Sequence, residues 1–139
     1  MRTQAWTAVA VAALGVLAAG RAGGANVTWD WTNYVNLNWS TNSADTNWKG
    51  GRTYYQDGDA CRFENHNKGA RQVLAIQAGG IQPASIAMAY WGGENGSYEF
   101  AGGDITGTGS FSMTSDGVLH LGRSFSFSGG VNLSHTSCN

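Results

Sequence analysis

Residues 97–121 read S-Y-E-F-A-G-G-D-I-T-G-T-G-S-F-S-M-T-S-D-G-V-L-H-L, and this stretch decides the fold class. Large apolar side chains alternate with small or polar ones, as where Tyr98 and Phe100 flank Glu99. A period of two places the large side chains on one face of a strand. Glycine and aspartate separate the alternating runs and supply the positive φ angles of tight turns. The stretch therefore predicts short strands joined by glycine turns.

The same pattern extends over most of the chain after residue 25, which predicts an all-β fold. No segment there carries apolar residues at the i, i+3, i+4 and i+7 positions of an amphipathic helix. Closely spaced short strands suit a sandwich, a barrel or a solenoid. Short units with a glycine corner favour a β-solenoid over residues 57–139, because stacked coils need a small residue at each turn. A small β-sandwich is the alternative.

The alternation also predicts which side chains face the interior. Neighbouring residues on a strand point to opposite faces, and an unpaired charge is costly to bury. The predicted inward set is Phe100, Phe111, Leu119 and Phe127, and the outward set is Glu99, Ser112, His120 and Ser126.

Residues 1–25 predict a secretory signal peptide. A basic start at Met1-Arg2 precedes an apolar run over residues 5–19, and small residues follow. The run of about 15 residues is shorter than the roughly 20 that a spanning helix needs, so a retained anchor is the weaker interpretation. Cleavage after Gly20 or after Ala25 satisfies the preference for small residues, and we favour Ala25.

The charge of the remaining chain argues against nucleic acid as a partner. The sequence has 8 basic and 9 acidic residues, and loss of Arg2 and Arg21 with the leader would leave 6 against 9, a net charge of −3. A mildly acidic surface has no electrostatic attraction for phosphates. Charged residues make up only 12% of the chain and 21 residues are glycine. This composition favours short strands joined by glycine turns.

Residues 26–56 differ from the rest, because tryptophans lie there among Asn, Thr and Ser with few aliphatic side chains. One interpretation is a cap that covers the end of the solenoid, since most tryptophans in small β domains are largely buried. The other is a platform on which sugar rings stack. The candidates for glycan stacking are Trp29, Trp31, Trp39, Trp48 and Trp91.

Two cysteines, Cys61 and Cys138, follow the predicted signal peptide. They form no CxxC motif and lie near no histidine cluster, so they do not indicate a metal site. In an oxidising compartment they could form one disulfide. Two unpaired cysteines are the alternative that the sequence leaves open.

The sequence also predicts no catalytic residues, no metal and no cofactor. The pairs Asp57/Asp59 and Arg62/Arg71 could mimic the acidic and basic groups of a polysaccharide lyase, but Asp57-Gly58-Asp59 is first of all a turn motif. A calcium ion needs six to eight oxygen ligands, and the two calcium-like turns, Gly102-Gly103-Asp104 and Ser115-Asp116-Gly117, offer one carboxylate each. The histidines are scattered without a metal-ligand spacing, at His66, His120 and His135.

Several motifs follow one another in a distinctive order: Trp29-Asp30-Trp31, Asn38-Trp39-Ser40, Asn47-Trp48, Asp57-Gly58-Asp59, residues 80–86, residues 97–111 and residues 115–131. This order resembles the autotransporter-associated β-strand repeat proteins, glycine-rich surface proteins of Planctomycetes, Verrucomicrobia and other Gram-negative bacteria. The resemblance implies a right-handed parallel β-helix passenger that is exported to the cell surface, often for adhesion. It implies no catalytic residue.

Some residues depart from that family's pattern. Cys61 stands where the family has an aliphatic residue or alanine, and His120 and Arg123 replace small polar residues. The chain also reaches Asn139 after barely one repeat, from which we expect a fragment or a short relative.

The functional expectation is an exported structural or adhesive segment of a cell-surface β-solenoid, which is not an enzyme. Its expected partners are a cell-surface glycan or neighbouring repeats of a longer passenger, with no nucleic acid and no transmembrane segment after signal cleavage. A secreted carbohydrate-binding module that uses exposed tryptophans is the alternative.

Overall fold

The computed structural model describes residues 23–64, 71–89, 97–114, 118–122 and 124–134. Within those ranges the chain forms strands and no helix, so the prediction of an all-β fold is confirmed. The strands are β1 (Asn26–Trp29), β2 (Asn38–Trp39), β3 (Trp48–Gly50), β4 (Ala60–Glu64), β5 (Gln72–Ile76), β6 (Ser85–Ala89), β7 (Ser97–Gly102), β8 (Ile105–Gly107), β9 (Phe111–Thr114), β10 (Val118–Leu121), β11 (Phe125–Phe127) and β12 (Val131–Ser134).

These strands form three sheets. Sheet 1 has the order β12-β9-β6-β4-β1-β3, sheet 2 the order β10-β7-β5-β2, and sheet 3 pairs β11 with β8. Neighbouring strands in the described sheets run parallel, except that β3 is antiparallel to β1. Parallel neighbours require a crossover connection instead of a hairpin. From β4 onwards that connection passes through sheet 2, and from β6 onwards also through sheet 3, before it returns to sheet 1.

The register of the parallel strands repeats at nearly constant chain distance. In sheet 1, Cys61 pairs with Ile86 and Ile86 with Phe111, each 25 residues further along the chain. In sheet 2, Leu74 pairs with Phe100, 26 residues further. From β6 onwards the chain visits sheets 1, 2 and 3 in turn. We call each passage from one strand of sheet 1 to the next parallel one a circuit, and residues at equivalent positions of successive circuits lie side by side.

The predicted alternation of inward and outward residues is confirmed wherever the side chains are described. Phe100 and Phe111 are each 2% exposed, and Phe127 is also buried. Glu99 faces outwards, where its carboxylate accepts a hydrogen bond from Arg71. Leu119 is partly buried against the core. The orientation of the His120 side chain lies outside the described part of the structure.

Glycines are required where one circuit turns closely over the next. Gly80 and Gly102 have φ values of 76° and 101°, a region that L side chains rarely adopt. A Cβ atom at Gly80 would lie 2.7 Å from the carbonyl oxygen of Asp104, and one at Gly102 would lie 2.5 Å from that of Ile76. Both glycines thus allow two backbones to approach at a corner, as the turn motifs predict.

The strands of the three sheets contribute to a single apolar cluster. One row of this cluster follows sheet 1, where the paired residues Val27, Cys61, Ile86 and Phe111 are all at most 2% exposed. At the first strands the cluster is mainly aromatic, and at the later ones it is formed by phenylalanine and aliphatic side chains. None of the described residues belongs to a helix long and apolar enough to cross a membrane.

Candidate functional site

The predicted tryptophan platform was the strongest candidate for a binding site, and its residues converge on one place. Trp29 ends β1, Trp39 ends β2 and Trp48 begins β3. Trp29 and Trp48 are directly opposite each other on antiparallel strands, with ring centroids 5.4 Å apart in an edge-to-face arrangement. Trp39 comes from sheet 2 and meets them across the interior, 5.3 Å from Trp48.

The three indoles lie inside the protein. Trp29 and Trp39 are 0% exposed and Trp48 is 2% exposed. The ring of Trp39 also lies 5.2 Å from both Phe63 and Phe100. Aromatic pairs in this distance range stabilise a core beyond their area of contact. The cluster is therefore an aromatic core between the first strands of sheets 1 and 2.

The prediction of a glycan-stacking platform is wrong for Trp29, Trp39 and Trp48, because no face of these rings is open to a sugar. The alternative interpretation of core packing is confirmed for them. Trp31 is half-buried and packs against the same core. Trp91 lies outside the described residues, so its part in glycan stacking stays a prediction.

A second concentration of polar groups lies around Asp59, in the turn before β4. Its carboxylate is 0% exposed, and Oδ1 accepts hydrogen bonds from the Ala25 backbone N–H at 2.8 Å and from Arg52 Nη2 at 3.0 Å. Oδ2 accepts a hydrogen bond from the backbone N–H of Gln56 at 2.9 Å. Asp59 thus ties the beginning of β1 to the segment between β3 and β4.

The neighbouring Asp57 is structural as well. Its Oδ1 accepts hydrogen bonds from the Tyr55 hydroxyl at 2.9 Å and from the backbone N–H of Gln82 at 2.8 Å, which belongs to the next circuit. Gly58 between the two aspartates has a φ of 91°, as the turn motif predicts. Both carboxylates therefore stabilise the turn and the adjoining circuits.

The two arginines of the lyase-like pattern face outwards on different sheets. Arg62 pairs with Glu64 at 3.2 Å on sheet 1, and Arg71 with Glu99 at 2.7 Å on sheet 2. Neither forms a described ion pair with Asp57 or Asp59. The structure therefore does not bring the acidic and basic members of that pattern together.

Cys61 is buried and forms no disulfide with a described residue. It faces the interior from β4, between Val27 on β1 and Ile86 on β6, and therefore fills the place of a small apolar residue. Burial raises the pKa of the thiol well above its ordinary value, and the nearby Asp59 and Asp57 add to the effect. A thiol in this setting stays protonated and is a poor nucleophile. Cys138 lies outside the described residues, so the disulfide stays a prediction.

The Asn-rich segment before β3 contains a hydrogen-bond network that sequence reasoning did not identify. Asn47 is 0% exposed. Its Oδ1 accepts hydrogen bonds from the backbone N–H groups of Val35 and Asn36, and its Nδ2 donates to Asn36 Oδ1 and to the Asn38 carbonyl. The useful signal was the density of Asn, Asp and Ser, whose side chains bind nearby backbone groups in irregular segments.

Asp45 completes this network. Burial acts to raise the pKa of Asp45, but hydrogen bonds from Ser40, Asn36 and Asn38 outweigh that effect and lower it. The carboxylate is therefore ionised and fully occupied by neighbours of its own segment. The arrangement holds the loop around β2 in place.

The described residues contain no group of three or more His, Cys, Asp or Glu side chains placed to hold a metal ion. His66 and His135 lie outside those residues, and the side chain of His120 is also not described. In the described part, the buried carboxylates Asp45 and Asp59 are held by side-chain and backbone donors.

Comparisons with known proteins add no relative. No family model, no curated protein and no solved structure matches this chain.

Proposed function

We propose that this chain is an exported, non-catalytic segment of a right-handed parallel β-helix that serves a structural or adhesive role at a bacterial cell surface. The observation that carries the proposal is the repeated passage of the chain through sheets 1, 2 and 3, with parallel pairing between successive circuits. A sandwich built from hairpins would instead pair sequential strands antiparallel. The right hand follows from the strong preference of parallel crossovers for that sense.

The interior supports the β-helix as well. Side chains at one register position form continuous rows, such as Cys61, Ile86 and Phe111 in sheet 1. Each circuit buries its apolar face against the circuits above and below it, which is how a solenoid gains stability. A stack of this kind is a suitable spacer, because circuits can be added without a change in the cross-section.

A structural role also fits the chemistry of the polar groups. Asp57 and Asp59 stabilise a turn, and Cys61 is a buried thiol. Arg62 pairs with Glu64 of sheet 1, and Arg71 pairs with Glu99 of sheet 2. None of these groups is both poised for proton transfer and accessible to a substrate.

Export is supported by the order of the sequence and by the position of the first described strand. A basic start, an apolar run and small residues occupy the first 25 positions, and β1 begins at Asn26. Display beside further repeats is supported by the last circuit, where Leu121 and Val131 are 48% and 54% exposed at inward register positions. An additional circuit of the same kind would cover them.

The test of export is expression of the full chain in a Gram-negative host, followed by cell fractionation and mild protease treatment of intact cells. We expect a shortened product outside the cytoplasm. Deletion of residues 5–19 should retain the chain in the cytoplasm and serves as the control. A full-length product confined to the cytoplasm in both cases would refute export.

The adhesive part is tested with beads coated with the purified exported protein, which should bind to bacterial or host surfaces more than beads coated with albumin. Tryptophan fluorescence distinguishes the carbohydrate-binding alternative. Because Trp29, Trp39 and Trp48 are buried, iodide should quench only a minor part of the emission. Extensive quenching that soluble glycans prevent would instead favour the carbohydrate-binding module.

A further inference from the structure

Ala25, the residue immediately before β1, is hydrogen-bonded through its backbone to the turn at Asp59 and to β4. The N–H of Ala25 donates to Asp59 Oδ1 at 2.8 Å, and the carbonyl of Ala25 accepts a hydrogen bond from the N–H of Ala60 at 2.9 Å. The Ala25 side chain packs against the apolar core. Ala25 therefore belongs to the folded unit.

The residues before Ala25 mark the edge of that unit. Gly23 is exposed, and a Cβ atom placed on it would meet no atom within 4 Å. Gly24 is exposed but passes close to the turn, since a Cβ atom there would lie 1.7 Å from the carbonyl oxygen of Gly58. Among the described residues, Gly23 and Gly24 form no hydrogen bond, so a chain end immediately before Ala25 would remove none, whereas cleavage after Ala25 would remove its two backbone hydrogen bonds and its core contact.

Because of Asp59, it matters chemically which residue begins the chain after the leader is removed. Its carboxylate is completely buried, with Arg52 as its described ion-pair partner. A buried acceptor that loses a donor is costly, while a charge-assisted hydrogen bond is about twice as strong as a neutral one. An α-ammonium group at Ala25 would supply Asp59 with a second cation at the position where the amide N–H now donates.

The sequence permits cleavage at this bond. Gly24 and Ala22 would occupy the first and third positions before the cut, where signal peptidases accept small residues. Cleavage after Ala25 would place Ala25 and Gly23 there, so the sequence alone does not distinguish the two bonds. The contacts of Ala25 do distinguish them.

We propose that signal processing hydrolyses the Gly24–Ala25 peptide bond, and that the new α-ammonium group of Ala25 forms an ion pair with buried Asp59. Water adds across the bond, the leader leaves with the Gly24 carboxylate, and the released Ala25 amine takes up a proton. The inference rests on the proposed export, and it replaces Ala25 as the favoured last residue of the leader with Gly24.

The first test is the intact mass of the exported protein produced from the full chain. We expect a chain that begins at Ala25. A chain beginning at Asn26, Gly23 or Arg21 would overturn the processing site while export stands. An unprocessed cytoplasmic chain would refute both the export proposal and this inference.

Two reciprocal substitutions in the full chain sharpen that test. Gly24→Tyr places a bulky residue at the first position before the proposed cut, so the product that begins at Ala25 should disappear. Gly23→Tyr changes only the tolerant second position, so that product should persist. If the cut instead follows Ala25, Gly23→Tyr would block it and Gly24→Tyr would not, and this reversed pattern would refute the proposal.

The ion pair is tested by the rate at which an amine-selective reagent labels the α-amino group of the purified exported protein. Because the group is held against Asp59, labelling in the native state should be at least about tenfold slower than in urea, equivalent to about 1.4 kcal/mol. Equal rates would refute the ion pair. Asp59→Asn should accelerate native labelling, while Asp57→Asn should leave it slow, and the wild-type comparison alone decides if Asp59→Asn does not fold.

Discussion

The first and last circuits of this molecule differ in how completely they bury the same register positions. In the row of sheet 2 formed by Leu74, Phe100 and Leu121, the exposed fraction rises from 0% to 2% and then to 48%. In sheet 1, Ile86 and Phe111 are 1% and 2% exposed, but Val131 is 54% exposed. The inward direction alone therefore does not bury a side chain, because a neighbouring circuit is needed on each side.

At the first described strands, the inward positions are buried by bulky aromatic side chains and by an additional antiparallel strand. Strand β3 adds an antiparallel neighbour to β1, and the Asn-rich segment between them is held by the network around Asn47. Trp29, Trp39 and Trp48 fill the interior at these first strands. We infer that the stability of the domain is concentrated in this first region and declines towards the last described strands.

The largest expected effect comes from Trp39→Ala in the first region. Trp39 is fully buried and contacts aromatic rings from both sheets, so its truncation should reduce the free energy of unfolding by about 3–5 kcal/mol. Urea denaturation measures the change. Trp39→Phe should cost much less, because it retains a ring and removes a buried indole N–H that has no partner among the described residues.

For Trp31→Ala we expect a smaller loss than for Trp39→Ala, since Trp31 is only half-buried. If both alanine variants lose the same stability, the aromatic cluster does not carry the first region in the way we infer.

Substitutions at two glycines compare a position that approaches the backbone of a neighbouring circuit with one that packs against a side chain of the last described circuit. A Cβ atom at Gly109 would lie 2.2 Å from the backbone carbonyl oxygen of Ala84, whereas one at Gly107 would lie 1.9 Å from the ring of Phe127. The backbone of a circuit with neighbours on both sides can shift less than the Phe127 side chain, which belongs to the last described circuit. We expect Gly109→Ala to cost about 3 kcal/mol and Gly107→Ala about 1 kcal/mol in urea denaturation.

The double variant Gly107→Ala, Phe127→Ala provides the control for this pair. Removal of the ring should relieve the clash, so the two changes should cost less together than the sum of the single variants. Additive losses would show that the Phe127 ring is not what Gly107 accommodates.

The third prediction concerns alkaline pH and the first region. Burial raises the pKa of Cys61 and of Tyr55 above their ordinary values of 9.0 and 10.0. Both groups therefore stay protonated in the native chain while the unfolded chain releases their protons. This contribution to stability is complete below about pH 9 and is lost as the pH rises, by about 1.4 kcal/mol per pH unit for each group that ionises only when unfolded.

Urea denaturation of the reduced protein at pH 7, 9 and 10 measures this loss. Cys61→Ala should remove the part that begins near pH 9 and leave the part due to Tyr55. Identical pH profiles for the variant and the wild type would contradict the assignment to Cys61.

The smallest effect is expected on the outer surface. Arg71 and Glu99 form an ion pair at 2.7 Å, but their side chains are 49% and 26% exposed. Solvent screens such a pair, so a double-mutant cycle with Arg71→Ala and Glu99→Ala should give a coupling below about 1 kcal/mol. A coupling as large as the loss from Trp39→Ala would mean that surface charge, and not the interior, sets stability here.

Local sequence patterns were sufficient to predict the strands, the turns and the direction of side chains on the strands. Alternation around Glu99 identifies Phe100 as an inward residue, because a period of two leaves only two faces to choose from. The turn at Asp57-Gly58-Asp59 was also predictable from adjacent residues, because glycine and aspartate favour turn conformations of the backbone.

The role of each residue depends on contacts between strands that are far apart in the chain. Tryptophan can stack on a sugar or on another ring, and the choice depends on which strands meet, so burial of Trp29, Trp39 and Trp48 required the pairing of β1 with β3 and of β2 with β5. The contact between Ala25 and Asp59, 34 residues apart, likewise depends on the parallel pairing of β1 with β4. Local patterns specify a strand, whereas the partners of a strand lie a whole circuit away along the chain.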